Sequence, residues 1–262
     1  MVNILAYYLK RLLNDPLKTT VIIFILLLPF CENIYYIYEF LKYKNVVNPN
    51  YSCFLAGGST GVGHILQGVL LWFAPMYFLI LFSEDCLQDF KTGNVNILIS
   101  KFGPKNYIII NLIKSFVMSF MLIFISLAIN MLTTYSLFFG GNISKVDVNV
   151  QGHGFYQYSI THPLLINIMY ILLTSIIIAF VSMTGTALTF TLKDRKLIYP
   201  IAMFCWYIAC SVPDSIIYVT QPFTEYGLDV TFKSFFVFII INIVTVILLS
   251  LRETIYVKKK IL

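Results

Sequence analysis

Charge is scarce in this 262-residue chain, with only 11% of residues Asp, Glu, Lys or Arg against 59% hydrophobic and a mean hydropathy of +0.84. Soluble domains carry roughly 25% charged residues, so a water-exposed globular surface is excluded. The cysteines are few and scattered: Cys31, Cys53, Cys86, Cys205 and Cys210 form no C-x-x-C pair. That spacing offers neither a zinc site nor a disulfide framework, and each thiol reads as a small packing residue. Two of the three histidines, His153 and His162, share one polar loop with Asp147, but no tight ligand spacing joins them and they read as loop residues. No H-E-x-x-H helix or comparable buried catalytic pair is present. Gly58 to Gly63 has the glycine spacing of a phosphate loop, yet His64 and Ile65 follow where Lys and Ser or Thr are required. Those glycines read as a flexible turn. Once the apolar runs are set aside, too little chain remains for a nucleotide-binding domain of roughly 100–200 residues.

What the chain has instead is six long apolar runs, at 19–40, 61–82, 107–139, 164–192, 197–218 and 232–251. A helix of about 20 apolar residues crosses the roughly 30 Å of bilayer hydrocarbon with all its backbone hydrogen bonds satisfied internally. The expected fold is therefore an all-α membrane protein, one transmembrane domain over 1–262 with six spanning helices. The third and fourth runs are longer than a bilayer needs and should project beyond it. Ahead of them, residues 1–16 place Ile4, Leu5, Tyr8, Leu9, Leu12 and Leu13 at helical spacing, with Lys10 and Arg11 elsewhere on the wheel. This predicts an amphipathic helix lying in the membrane interface. After the fifth run Pro213, Asp214, Pro222, Glu225, Gly227 and Asp229 interrupt a still apolar stretch, predicting a broken or re-entrant segment.

The basic residues orient the chain. One alternating set of segments holds Lys10, Arg11, Lys18, Lys91, Lys101, Lys105, Lys193, Arg195, Lys196, Arg252, Lys258, Lys259 and Lys260; the other holds only Lys42, Lys44, Lys145 and Lys233. Lys and Arg favour the cytoplasmic side of spanning helices, so both termini are expected there. Because the net charge of +6 is divided among short flanking segments rather than gathered on one face, no nucleic-acid partner is expected. Many tyrosines near the span ends (Tyr35, Tyr36, Tyr38, Tyr77, Tyr107, Tyr135, Tyr218) suit the headgroup region as anchors. Glu32 stands about 20 Å along the first span by helix rise. It is either an ionisable group at depth, and so a candidate for a substrate pathway, or a headgroup-level residue. Lys114, near the start of span three, is expected to snorkel to the inner surface.

The most specific stretch is Ser83 to Lys114, SEDCLQDFKTGNVNILISKFGPKNYIIINLIK. Ser83 is a candidate cap for a short helix with Glu84 and Asp85 in its first turn. Thr92-Gly93 breaks it, a second amphipathic turn carries Val95, Ile97, Leu98 and Ile99, and Gly103-Pro104 redirects the chain.

Here the chain resembles permease subunits of ABC-2-type transporters. Their loop between spans two and three reads acidic-x-x-x-Gly-Thr, an apolar pair and Ser, then Pro and a basic residue leading into a Lys-bearing helix. Asp89, Gly93, Leu98, Ile99, Ser100 and Lys105 fall at the matching places; Asn94 replaces Thr, Phe102 replaces Pro with Pro104 two residues later, and Lys114 lies beyond the usual Lys. The resemblance implies that 83–106 is a coupling segment docking on a separate ATP-binding subunit, through Glu84, Asp85, Asp89, Lys91, Gly93, Asn94, Ile97, Ser100, Lys101 and Lys105. ATP and magnesium would sit on that subunit, and this chain would bind no cofactor and carry no catalytic site. A second permease copy or paralogue would complete the exporter. Its substrate would be an amphipathic peptide, and its setting a bacterial cytoplasmic membrane with lipids around it. A lipid or drug exporter, a membrane-embedded enzyme and a channel are the alternative readings.

Overall fold

The computed structural model describes residues 10–43, 48–50, 52–56, 62–141, 154–213, 215–224 and 226–261. Among the described residues there is no strand, and the chain is a succession of helices. Residues 10–14 are helical. Asp15 then accepts the amide of Leu17 at 3.1 Å and Pro16 opens α1 (Pro16–Tyr43), since a cap side chain followed by proline satisfies the free amides of a helix start. Proline also opens α6 (Pro104–Leu137) and α8 (Pro163–Leu192).

Between these long helices lie α2 (Val62–Trp72) and α3 (Ala74–Phe78), bent by 48° at the break between them. A π-helical turn, Leu79–Ser83, runs from α3 directly into α4 (Glu84–Thr92). Gly93, at φ +74°, ends α4 in the left-handed region that glycine enters freely, and α5 (Asn94–Phe102) follows. Then come α7 (Gly154–Thr161), α9 (Arg195–Ser211) and α10 (Leu228–Ile261).

The centre of the bundle is α8. Of its most apolar window 56% is buried, against 22% for α10 and 39% for α6, and it packs on α3, α6, α9 and α10. From Ser175 onward its buried face is rich in small residues, with Ala179, Ser182, Gly185, Thr186 and Ala187 among them. Without a hydrophobic force to separate helices from lipid, such residues associate helices by letting backbones approach. At Gly185 a Cβ would stand 2.9 Å from Leu79 Cδ2, so the glycine leaves room for the Leu79 side chain of the π-helical turn against α8. Larger side chains, among them Phe78, Phe82, Ile123, Tyr170 and Ile177, fill the spaces between helices.

Four helices, α1, α6, α8 and α10, are each long and apolar enough to cross a membrane, and the bent α2–α3–α4 pair makes a fifth such candidate. α1, α6 and α8 match the first, third and fourth apolar runs to within three residues, and α10 begins four residues before the sixth run and continues ten residues past it, to Ile261. The fifth run departs from expectation. A continuous helix over 197–218 is predicted, but α9 stops at Ser211 and the chain resumes as a short 3-10 turn, Ile216–Val219. Pro213 explains this, because the residue before a proline is driven out of the helical region and Val212 stands extended at ψ 159°. The polar loop before span four contains α7. Ser83 is no cap: it lies within continuous helix and its side chain accepts nothing from the helix start. His153, Asp147, Lys145, Gly58 and residues 1–9 of the expected interfacial helix lie outside the described residues. Of that helix, Leu12 is buried in the core.

Candidate functional site

The acids of α4 turn inward. Asp85, 1% exposed, pairs with Lys18, with Arg11 Nε at 3.2 Å and with Lys114 Nζ at 3.9 Å. One turn on, Asp89 accepts from Arg11 Nη1 at 3.1 Å, and Lys18 also reaches Asp15 at 3.7 Å. Three bases thus face three acids. Desolvation makes a lone buried ion costly, and this neutral balance is what lets Lys18 and Lys114, each only 2% exposed, sit inside the protein. Lys114 therefore does not snorkel to the surface as its place in the sequence suggests; Asp85 meets it in the interior. On the far side of α4, Glu84 pairs with Arg195 and accepts from the Tyr199 hydroxyl at 2.9 Å. The hydrogen bond that Arg195 donates to Glu84, and the charge of Glu84, raise the Arg195 guanidinium above its ordinary pKa. Lys193 Nζ bonds Glu253 at 2.6 Å and lies 4.9 Å from the centre of the Phe90 ring. Ion pairs from the turn at 10–14, α1, α6 and α9 thus converge on one short helix.

The opposite faces of α4 and α5 point away from the bundle. Lys91, Asn94, Ser100, Lys101 and Lys105 are exposed, Gly93 is half-buried, and Ile97 is 66% exposed. Val95 and Cys86 are buried beneath them with Tyr107 and Phe190. The ten residues of the expected docking segment therefore divide. Glu84, Asp85 and Asp89 bind the knob to the bundle, and the other seven form its accessible surface.

A second polar region lies at the other end of α1 and α6. Pro29 lacks an amide, which frees the carbonyl of Ile25 one turn back, and Ser126 Oγ of α6 donates to that carbonyl at 2.8 Å. Asn130 donates to the Pro29 carbonyl at 2.9 Å and to Asn33 Oδ1 at 3.2 Å, while its own Oδ1 accepts the Phe54 amide at 2.9 Å. Thr134 donates to Asn33 at 2.9 Å, and Asn33 to Thr133 at 2.8 Å. Glu32 adjoins this layer, wholly enclosed by protein, with Tyr36 one helical turn further on. Pro29, Asn33 and Asn130 within apolar runs were the signal for this layer: amides at that depth need partners on a neighbouring helix. Among the described residues no three His, Cys, Asp or Glu side chains gather as metal ligands would.

Long apolar helices joined by polar layers at both ends define a multi-pass membrane protein. The chain is 34% identical over 240 residues to the Bacillus subtilis (strain 168) protein described as "Uncharacterized protein YybM", covering 89% of this chain and 93% of that one. It belongs to the YybM family. No family model matches the chain, and no solved structure matches it.

Proposed function

We propose that the chain is the permease subunit of an ATP-driven exporter that works with a separate ATP-binding subunit and a second permease copy or paralogue. The observation that carries this reading is the α4–Gly93–α5 knob, accessible on one face and ion-paired to the bundle on the other. A partner pressing on Lys91, Ile97 and Lys101 would move α4. Asp85 and Asp89 would then transmit the displacement to the turn at 10–14, α1 and α6, and Glu84 would transmit it to α9. Helices are stiff enough to carry such motion across the membrane.

In this reading six spans cross the bilayer: α1, bent α2–α3, α6, α8, α9 with its 3-10 turn, and α10. The 17 residues of α9 rise only about 25 Å, and the turn at Ile216–Val219 completes that crossing. Both termini and the knob face the cytoplasm, in keeping with the distribution of Lys and Arg. ATP and magnesium belong to the partner, and this chain supplies the path rather than the chemistry. Few charges and many Phe, Ile and Met side chains on the spans favour an amphipathic peptide as cargo, moved outward across a bacterial cytoplasmic membrane.

Gly93→Pro, Ile97→Asp and Lys101→Glu should each insert normally and yet lower substrate-stimulated ATP hydrolysis by the assembled transporter. Full stimulation and transport in all three would remove the knob from the docking role. A panel of amphipathic helical peptides tests the cargo. Stimulation by a lipid headgroup or a metabolite, with none by the peptides, would leave the transporter and discard the peptide.

A further inference from the structure

A polar cavity of about 500 Å³ lies between the short helix at 10–14, the start of α1 and α4, within the roughly 300–1,000 Å³ usual for small-molecule sites. Its inner wall is the ion group already described: Asp85 holds Arg11 and Lys18, and Asp15 shares Lys18. Its outer wall is different. Lys10, Asn14 and Gln88 are exposed, and among the described residues none of their side chains makes a hydrogen bond or an ion pair. The mouth of the cavity therefore presents an ammonium and two side-chain amides that are open to a ligand.

Charge selects the sign of that ligand. With Lys114 and Asp89 behind the wall included, Lys10, Arg11, Lys18 and Lys114 stand against Asp15, Asp85 and Asp89. Four bases against three acids leave one positive charge over, and the unpaired base is Lys10, at the mouth. A monoanion rich in acceptor oxygens answers it. A phosphodiester carries a single negative charge, and ammonium and amide N–H groups donate to its oxygens.

Place selects the source of the phosphodiester. A helix able to cross a membrane begins at Pro16, so the cavity stands where the chain enters the bilayer, at the depth of the headgroups. Leu13 and Leu17, neighbours of Asn14 and Asp15 in the chain, are 54% and 58% exposed. A soluble phosphate would leave both in water, whereas a phospholipid covers them with its acyl chains while its head meets Lys10. Basic pockets at the ends of spanning helices recognise anionic headgroups by the same combination.

We propose that this cavity binds the phosphodiester headgroup of an anionic phospholipid, its oxygens accepting from Lys10 Nζ and from the side-chain amides of Asn14 and Gln88. Lys10 and Asn14 belong to the helix at 10–14 and Gln88 to α4, so a bound headgroup ties the membrane surface to the knob. The assignment needs no ATP-binding partner, so its failure and that of the permease reading are separate results.

The test is native mass spectrometry of the whole purified protein, titrated in detergent with phosphatidylglycerol and with phosphatidylcholine of the same acyl chains. The parent should bind its first phosphatidylglycerol more tightly than its first phosphatidylcholine. Lys10→Gln should weaken that step about fivefold, the worth of one basic residue at an anionic surface. Gln88→Glu, which sets a carboxylate in the mouth, should weaken it at least as much. Both positions are exposed, so neither change disturbs folding. Lys196→Gln removes the same charge from an exposed position outside the cavity lining and should leave the step unchanged. No preference for phosphatidylglycerol in the parent, an unchanged preference in either cavity variant, or an equal loss in Lys196→Gln overturns the proposal. Inorganic phosphate supplies the remaining arm. Phosphate that binds the parent and not Lys10→Gln, with no preference between the two lipids, would make this a site for a soluble anion and overturn the lipid assignment.

Discussion

At one end of α1 and α6, Asp85 gathers Arg11, Lys18 and Lys114; at the other, Asn33 and Asn130 hold Thr133, Thr134 and the backbone of Pro29 and Phe54. The same two helices thus meet through ions at one end and through neutral amides at the other. Coulombic attraction between buried charges is long-ranged and tolerant of angle, so the ionic end can hold several elements together while they shift. Amide bonds demand distance and direction, so the neutral end fixes one arrangement. The helices are joined adaptably beside the knob and rigidly at the far end, a division suited to a bundle driven from one side.

Breaking the ionic end should have the largest effect. Asp85→Leu leaves Lys18 and Lys114 buried without their shared acid, at a cost of about 3–5 kcal/mol. The expected result is a large fall in thermal midpoint in detergent, or failure to accumulate in the membrane. Adding Lys18→Met and Lys114→Met should recover much of it, because an apolar replacement of a buried ion group is often neutral. If Asp85→Leu alone were as stable as the parent, the ionic platform would not be what holds α4.

At the neutral end the effect should be smaller. Asn130→Leu removes three hydrogen bonds, two of them to the backbone groups of Pro29 and Phe54, for about 1–2 kcal/mol. Ser126→Ala, which strands only the Ile25 carbonyl, should cost about 1 kcal/mol. Paired unfolding measurements on the two variants rank them, and a larger loss for Ser126→Ala would mean that the carbonyl freed by Pro29, not the amide layer, organises this end.

Much of this architecture was legible in the sequence, and the misses have physical causes. Apolar runs placed α1, α6 and α8 closely, because a spanning helix is constrained by length and composition, whereas α10 continues past its apolar run through the charged residues after Leu251. The Gly93 break between α4 and α5 was equally plain, since glycine's left-handed turn is a local property. What failed depended on partners distant in the chain. Lys114 read as a snorkelling residue because its acid, Asp85, belongs to another helix. Ser83 read as a cap because nothing local announces that a π-helical turn carries the helix through it. Pro213 announced the interruption that the structure shows, yet the apolar run through Ile216 and Ile217 carried the expected fifth span past the end of α9. The acids at 84, 85 and 89 signalled a distinct segment, but only the fold shows that they face the bundle while Ile97 and Lys101 face away.

The smallest expected effect belongs to the exposed edge of the platform. Arg195 is more than half exposed where it meets Glu84, and solvent screening limits such a pair to about 0–1 kcal/mol. Arg195→Ala should barely move the thermal midpoint. Salt, which screens exposed charges far more than buried ones, should likewise perturb this pair and leave the Asp85 group intact. A midpoint that collapses in salt would place the Asp85 group in water.

The proposed function requires the knob and the bulk of the basic residues to lie on the cytoplasmic side. The direct measurement is labelling of single cysteines by an impermeant thiol reagent in intact cells, in a background with the five native cysteines replaced. Lys145→Cys should react, and Ser100→Cys should react only after the membrane is opened. Reaction at position 100 with protection at 145 would invert the molecule, put the knob out of reach of any cytoplasmic ATPase, and contradict the proposed function.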